Sequence, residues 1–287
     1  MFSCVLDCQR GKTRVPPRIV TLISLVCLAL ICIATPNCGS SSQSSAGKPH
    51  DVVGNWQFTV STNSGSILYL GGIDSEGTSL FFAPGVLGVG VVNSTAFVGD
   101  TWALPIITGA SSFSGATTLY AATGTQLPSG GTSHTLSSQG TVISDNSVTL
   151  TNSSGTFTLT SATPLTGAVK ELSGVLTGGL NDGMGGGPFW PLAFTQVSGG
   201  GHSMSFTTSG VATCSVAGTF TQVGTGNVFD VSMTFSGVCE FPTGKSFSGL
   251  GFQSDTDYFS YNAGQEGTYL YADVLVPSGG AFVLEIY

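Results

Sequence analysis

The chain has 287 residues, 42 of them glycine and only 8% charged, with a formal net charge of −8. That length suits one large β domain or two small ones with a real core, and the glycine content disfavours helices, whose interiors lose about 1 kcal/mol per glycine. Beyond Cys38 only Lys48, Lys170 and Lys245 stand against 14 acids, a net of about −11, so nucleic acid is not an expected partner, because phosphate binding needs a basic surface.

The chain opens with Arg10, Lys12, Arg14 and Arg18, followed by an apolar run of 16 residues from Ile19 to Ala34. A basic start before a short apolar core reads as an export signal, with a boundary at residue 38. Kept uncleaved, the same run would serve as a membrane anchor, at the short edge of what spans a bilayer. Cys38 is followed by Gly39-Ser40-Ser41-Ser42-Gln43-Ser44-Ser45, a flexible tether that extends to about residue 50. These residues resemble the bacterial lipoproteins, in which a cysteine after the signal becomes the lipidated N-terminus and a Ser/Gly-rich tether follows. The resemblance implies lipid attachment at Cys38 and a place in the cell envelope, periplasmic or surface. Thr35-Pro36-Asn37 departs from the usual small-residue box before that cysteine, and a cut after Ala34 would instead release the protein.

Residues 51–287 are expected to be all-β, as an antiparallel sandwich or barrel-like domain. Trp56, Phe58 and Val60 alternate with Gln57 and Thr59, the period of a strand with one buried face. Gly54-Asn55-Trp56 resembles the opening of the lipocalin barrels, and Thr256-Asp257-Tyr258 is similar to their second motif; the resemblance implies a small ligand-holding barrel. Those motifs lie about 200 residues apart and no arginine follows Cys38, so Trp56 is read as a core residue. Further strands are predicted at Ser66–Ile73, Thr78–Ala83, Val86–Val92, Trp102–Thr108 and Thr117–Ala122. A three-stranded meander follows between Gln139 and Ser161, turned at Asp145-Asn146 and Ser153-Ser154-Gly155.

Leu165, Ala168, Val169, Leu172, Val175 and Leu176 fall at helical spacing behind Pro164, which predicts one short helix or, given Gly167 and Gly174, two more strands. Gly178 to Pro188 is the most glycine-rich stretch and is read as a loop dividing two halves near residues 178–190. It resembles one copy of the glycine- and aspartate-containing calcium repeats of secreted β-rolls, which need stacked neighbours to build an ion site. Phe229, Val231, Met233 and Phe235 alternate with polar residues, and a terminal hairpin joins Tyr269–Val276 to Ala281–Ile286. Gly218-Thr219-Phe220-Thr221 echoes Gly155-Thr156-Phe157-Thr158, a faint hint of duplication.

Four of the seven cysteines lie in the signal region; beyond Cys38 remain Cys214 and Cys239, the count expected for one disulfide in an exported chain. No CxxC or HxxxH spacing suggests zinc, and no motif implies a cofactor. His50, His134 and His202 are dispersed in loop-like sequence, and no Gly-x-Ser-x-Gly elbow supports a hydrolase. Asp255, Asp257 and Glu266, beside Tyr258, Tyr261 and Tyr269, form the densest acidic group; they could hold calcium or serve as acid and base of a glycosidase. Asn93-Ser94-Thr95 and Asn152-Ser153-Ser154 are glycosylation sequons that matter only in a eukaryotic secretory route. An outer-membrane barrel ending at Tyr287 is disfavoured, because Glu285 would share the lipid-facing row with that aromatic while Phe282, Leu284 and Ile286 face the other way. The functional expectation is an exported, lipid-anchored protein with a non-catalytic structural or binding role toward a glycan or protein of the envelope. The alternative is a glycan-acting hydrolase.

Overall fold

The computed structural model describes residues 49–62, 65–83, 101–122, 126–127, 130–172, 174–181, 190–198, 203–209, 214–238, 243–258, 266–276 and 280–286. The signal region with Cys38, the predicted strand Val86–Val92, and His202, Cys239 and Tyr261 lie outside them.

Residues 49–287 form one compact unit holding two closed antiparallel barrels of eight strands each. The first comprises β1 (Gly54–Thr62), β2 (Gly65–Ile73), β3 (Ser79–Phe82), β4 (Thr101–Ala103), β5 (Ser112–Tyr120), β6 (Ser133–Ser144), β7 (Ser147–Asn152) and β8 (Gly155–Ser161). Each strand pairs with the next, and the barrel closes where Trp56 of β1 meets Ser161 of β8. The second comprises β9 (Gly174–Asn181), β10 (Trp190–Ser198), β11 (Ser203–Ser209), β12 (Cys214–Gln222), β13 (Phe229–Gly237), β14 (Ser246–Thr256), β15 (Glu266–Leu275) and β16 (Ala281–Ile286). It closes between β16 and β9, from Val283 opposite Asn181 to Ile286 opposite Gly178.

The two-residue period of the sequence decides which side chains fill each barrel. Val148, Leu150, Phe157 and Leu159 point inward, while Thr149, Thr151, Thr156 and Thr158 point out. An eight-stranded barrel is just wide enough for side chains to fill it. In the first barrel Phe58, Tyr69, Phe81, Trp102 and Phe157 meet with ring centroids 5.0 to 6.1 Å apart. Such pairs contribute about 0.5–1.5 kcal/mol each beyond area burial. Trp56, buried as expected, donates its indole N–H to the Val52 carbonyl at 2.8 Å. The second core is built from Phe220, Phe229, Met233, Phe235, Phe247 and Phe282 with aliphatic neighbours. Gly71 and Gly249 mark inward positions where the backbone of the paired strand comes too close for a side chain. A Cβ there would fall 1.9 Å from the carbonyl oxygens of Leu80 and Asp273 respectively.

The meander and the terminal hairpin match β6–β8 and β15–β16. The strand expected at Trp102–Thr108 stops at Ala103, because Pro105 has no N–H to extend the ladder; Leu104 and Ile107 instead donate to the carbonyls of Ser79 and Gly77. No helix forms after Pro164. Gly167 takes φ +98°, outside the helical region, and residues 162–172 form an irregular crossing between the barrels, with Gly174 opening β9. The division between the halves therefore precedes the glycine-rich stretch: Gly178–Asn181 belong to β9, and residues 182–189 lie outside those described. The echoed Gly-Thr-Phe-Thr segments open the eighth strand of one barrel and end within the fourth of the other, so they are not equivalent positions.

The crossing is fastened to the second barrel. Leu172 and Val169 pack on its core. The fully buried Gln253 side chain clasps the Lys170 backbone, accepting from its N–H at 2.8 Å and donating to its carbonyl at 2.7 Å.

Candidate functional site

Side chains that face outward from a barrel normally meet water. Here the outer faces of β2–β4 and of β14–β16 meet each other. Leu70 and Phe82 from the first barrel pack with Phe252, Tyr269, Tyr271 and Val283 from the second. Leu80 packs with Val223, Val228 and Leu250 beside them. Phe82 stacks on Phe252 with centroids 5.7 Å apart and planes 9° from parallel. Polar pins complete the junction. Thr101 donates to the buried Asp273 carboxylate at 2.8 Å, and the Ala281 N–H donates to the Ala121 carbonyl at 3.0 Å.

A second buried carboxyl of this junction is Glu285, 4% exposed and on the same outer face as Val283. Register places it opposite Tyr271, whose hydroxyl donates to Glu285 Oε1 at 2.8 Å. The same hydroxyl accepts the Tyr258 backbone N–H at 2.8 Å. Asp257, itself buried, is an acidic neighbour of Glu285. Burial pushes the Glu285 carboxyl up to about 7; the Tyr271 hydrogen bond opposes that rise and Asp257 adds to it. Burial, then the neighbouring Glu285, raises the Tyr271 phenol above its ordinary value, so it stays protonated as a donor.

The acidic group Asp255, Asp257 and Glu266 does not converge as one site. Asp255 turns to the interbarrel crossing, accepting from the Thr166 N–H and, at 3.0 Å, from Lys170 Nζ. The Thr166 bond, with Lys170 second, holds its carboxyl below the usual range. Asp257 joins Glu285 instead, and Glu266 lies opposite Thr256 at the start of β15. The signal that marked Glu285 was already in the chain, as the one ionisable residue in an apolar terminal strand. Its partner Tyr271 was not legible, because pairing across a hairpin depends on register.

Elsewhere His50 Nδ1 lies 3.0 Å from Asp145 on the surface, and His134 sits across from Leu119 in β6. Cys214 opens β12 opposite Gly237, the last residue of β13. Among the described residues no group of three or more His, Cys, Asp or Glu is placed to hold a metal ion. The Thr256-Asp257-Tyr258 motif and Trp56 belong to different barrels, each with its own closure. Comparison with protein-family models, with curated proteins and with solved structures gives no match for this chain.

Proposed function

We propose that the protein is an exported envelope protein, tethered by lipid at Cys38, whose paired barrels serve a non-catalytic structural or binding role toward an envelope glycan or protein. The observation that carries this reading is the orientation of the first barrel: aromatic rings fill the inside, while its outer wall over β5–β8 presents Ser112, Ser114, Thr118, Thr135, Ser137 and Thr151. A lipid-embedded barrel needs an apolar outer band. A hydroxyl-bearing wall without charge belongs in water, at the end of a tether. The surface hydroxyls partly satisfy one another, as in the 3.0 Å contact of Thr151 with Thr156.

Against a glycan hydrolase built on Asp255, Asp257 and Glu266 stands the diversion of Asp255 to Lys170 and of Asp257 to a buried carboxyl. The oxidising compartment that goes with export supports a Cys214–Cys239 disulfide, which would constrain the unfolded chain by about 3 to 4 kcal/mol. Intact mass of the native mature protein tests the reading. A diacyl or triacyl addition on a chain beginning at Cys38, two hydrogens short for the bridge, is the expected result. An unmodified chain beginning at Thr35, or recovery of the protein in the cytosol, overturns it.

A further inference from the structure

The chain enters the first barrel at one end, and the entering segment is bonded across that end. His50 donates its backbone N–H to the Gly109 carbonyl in the β4–β5 loop at 2.9 Å, and its ring lies 3.0 Å from Asp145 in the β6–β7 turn. The Asp51 N–H donates to the same Asp145 carboxylate at 3.1 Å. Val52 then joins the core, its carbonyl accepting from the Trp56 indole. These bonds fix where the stretch from Cys38 arrives: at about 3.3–3.6 Å per residue at most, the twelve steps to His50 span no more than about 40 Å. Of the exposed large hydrophobic residues among those described, Val53, Ile106 and Ile143 all belong to this end. We propose that these three side chains seat the end of the first barrel on the lipid surface that holds Cys38, so that the barrel stands on the bilayer instead of swinging from it. The inference rests on the reading of Cys38 as the lipid-bearing residue.

Each of the three is displayed by backbone that is bonded elsewhere. Ile106, 55% exposed, lies between the buried Pro105 and Ile107 in a loop pinned by the Leu104 N–H to Ser79 at 3.3 Å and by the Ile107 N–H to Gly77 at 3.0 Å. Ile143, 57% exposed, sits where the register of β6 against β7 shifts between Val142 and Ser144, and the extra residue of such a bulge re-aims its side chain. Val53 follows Val52 on the entering segment, its N–H donating to Asp51 at 3.3 Å. Three aliphatic side chains are too few to hold a free protein on a membrane. A short tether changes that, because it presents them to the surface at an effective concentration on the order of millimolar, where weak contacts count. Charge selects the surface. Asp51 and Asp145 flank the patch, and Glu76 is exposed in the neighbouring β2–β3 turn, so zwitterionic headgroups fit and anionic ones are repelled. Seated in this way, the barrel holds its hydroxyl-bearing wall over β5–β8 in the water beside the bilayer.

The test uses the full mature protein on phosphatidylcholine vesicles, with a fluorescent dye on Thr108→Cys, an exposed neighbour of Ile106, and on Gln139→Cys of the side wall as the reference. A nitroxide carried on the lipid headgroup is expected to quench the dye at residue 108 and to leave the one at residue 139 as it is in water. Ile106→Ser combined with Ile143→Ser, both at exposed positions outside the core, is expected to lower the docked-to-undocked ratio by about tenfold. Added phosphatidylglycerol should lower it further at low salt. Flotation of the same samples separates two failures. Protein that floats with the vesicles while residue 108 stays unquenched overturns the seating and leaves the lipid tether standing; protein that does not float overturns both. Equal quenching at residues 108 and 139, or quenching that survives the double substitution, also overturns the seating. A signal at residue 108 that changes with protein concentration in the absence of vesicles assigns this end to a second copy of the chain, and overturns it as well.

Discussion

Replacing Phe82 by alanine removes the ring that the first barrel presses into the second. The side chain is 1% exposed, stacks on Phe252 at 5.7 Å and tilts over Tyr271 at 6.1 Å, with Leu70 and Val283 beside it. Truncating a buried phenylalanine costs about 3–5 kcal/mol, from lost transfer energy and the cavity left behind. That is a large share of the roughly 5–15 kcal/mol by which folded domains are stable. Because Phe82 points out of its own barrel, the loss falls on the junction and leaves both interiors intact. Urea unfolding, with hydrogen exchange reading peptides from each barrel, is the assay. Phe82→Ala is expected to lower the unfolding free energy by about 3 kcal/mol or more and to separate the exchange of the two barrels. Thr151→Ala, on the exposed wall, should stay within about 0.5 kcal/mol of wild type. A loss below about 1 kcal/mol for Phe82→Ala would refute the view that the barrels are welded through their outer faces.

Glu285 holds its proton more tightly folded than unfolded, so its stabilising contribution is fully present below pH 4.5 and fades as pH rises through about 7. At about 1.4 kcal/mol per pH unit that amounts to about 3 kcal/mol, and urea titrations of wild type and Glu285→Gln across this window should converge at low pH and diverge above neutrality, Gln being the more stable. Gly249→Ala should cost about 3 kcal/mol or prevent folding, because its Cβ meets the Asp273 carbonyl 1.9 Å away. Gly226→Ala, where the nearest atom is 3.9 Å off, should be near neutral by thermal melting. On the proposed Cys214–Cys239 disulfide, Cys214→Ser should lower stability by about 3 to 4 kcal/mol under oxidising conditions and leave it unchanged under reducing ones.

The strands were legible wherever one face of a sheet is dry and the other wet. Val148, Leu150, Phe157 and Leu159 alternate with threonines, and β7 and β8 lie where that pattern places them. Prediction failed where a different force governs the chain. Apolar residues at Leu165, Val169 and Leu172 suggested a helix, yet they follow a path set by the Gln253 clasp and the positive φ of Gly167. The sequence also could not reveal that β2–β4 and β14–β16 have a second dry face. Leu70, Phe82, Tyr271 and Val283 break the alternation there, as expected of strands covered on both sides. The same blind spot hid the site. Asp255 and Asp257 are two residues apart in sequence, but the irregular register at Ser254/Thr256 turns them to unrelated surroundings.

The two closures give the halves different histories on a chain made from its N-terminus. The first barrel can be sealed as soon as Ser161 joins β1, with much of the polypeptide still to come. The second holds β9 without its final neighbour until Ile286 arrives, leaving a strand edge open in the interval. Shortening the C-terminus by a few residues would make that interval permanent, turning a ring into an open ribbon able to pair with other chains.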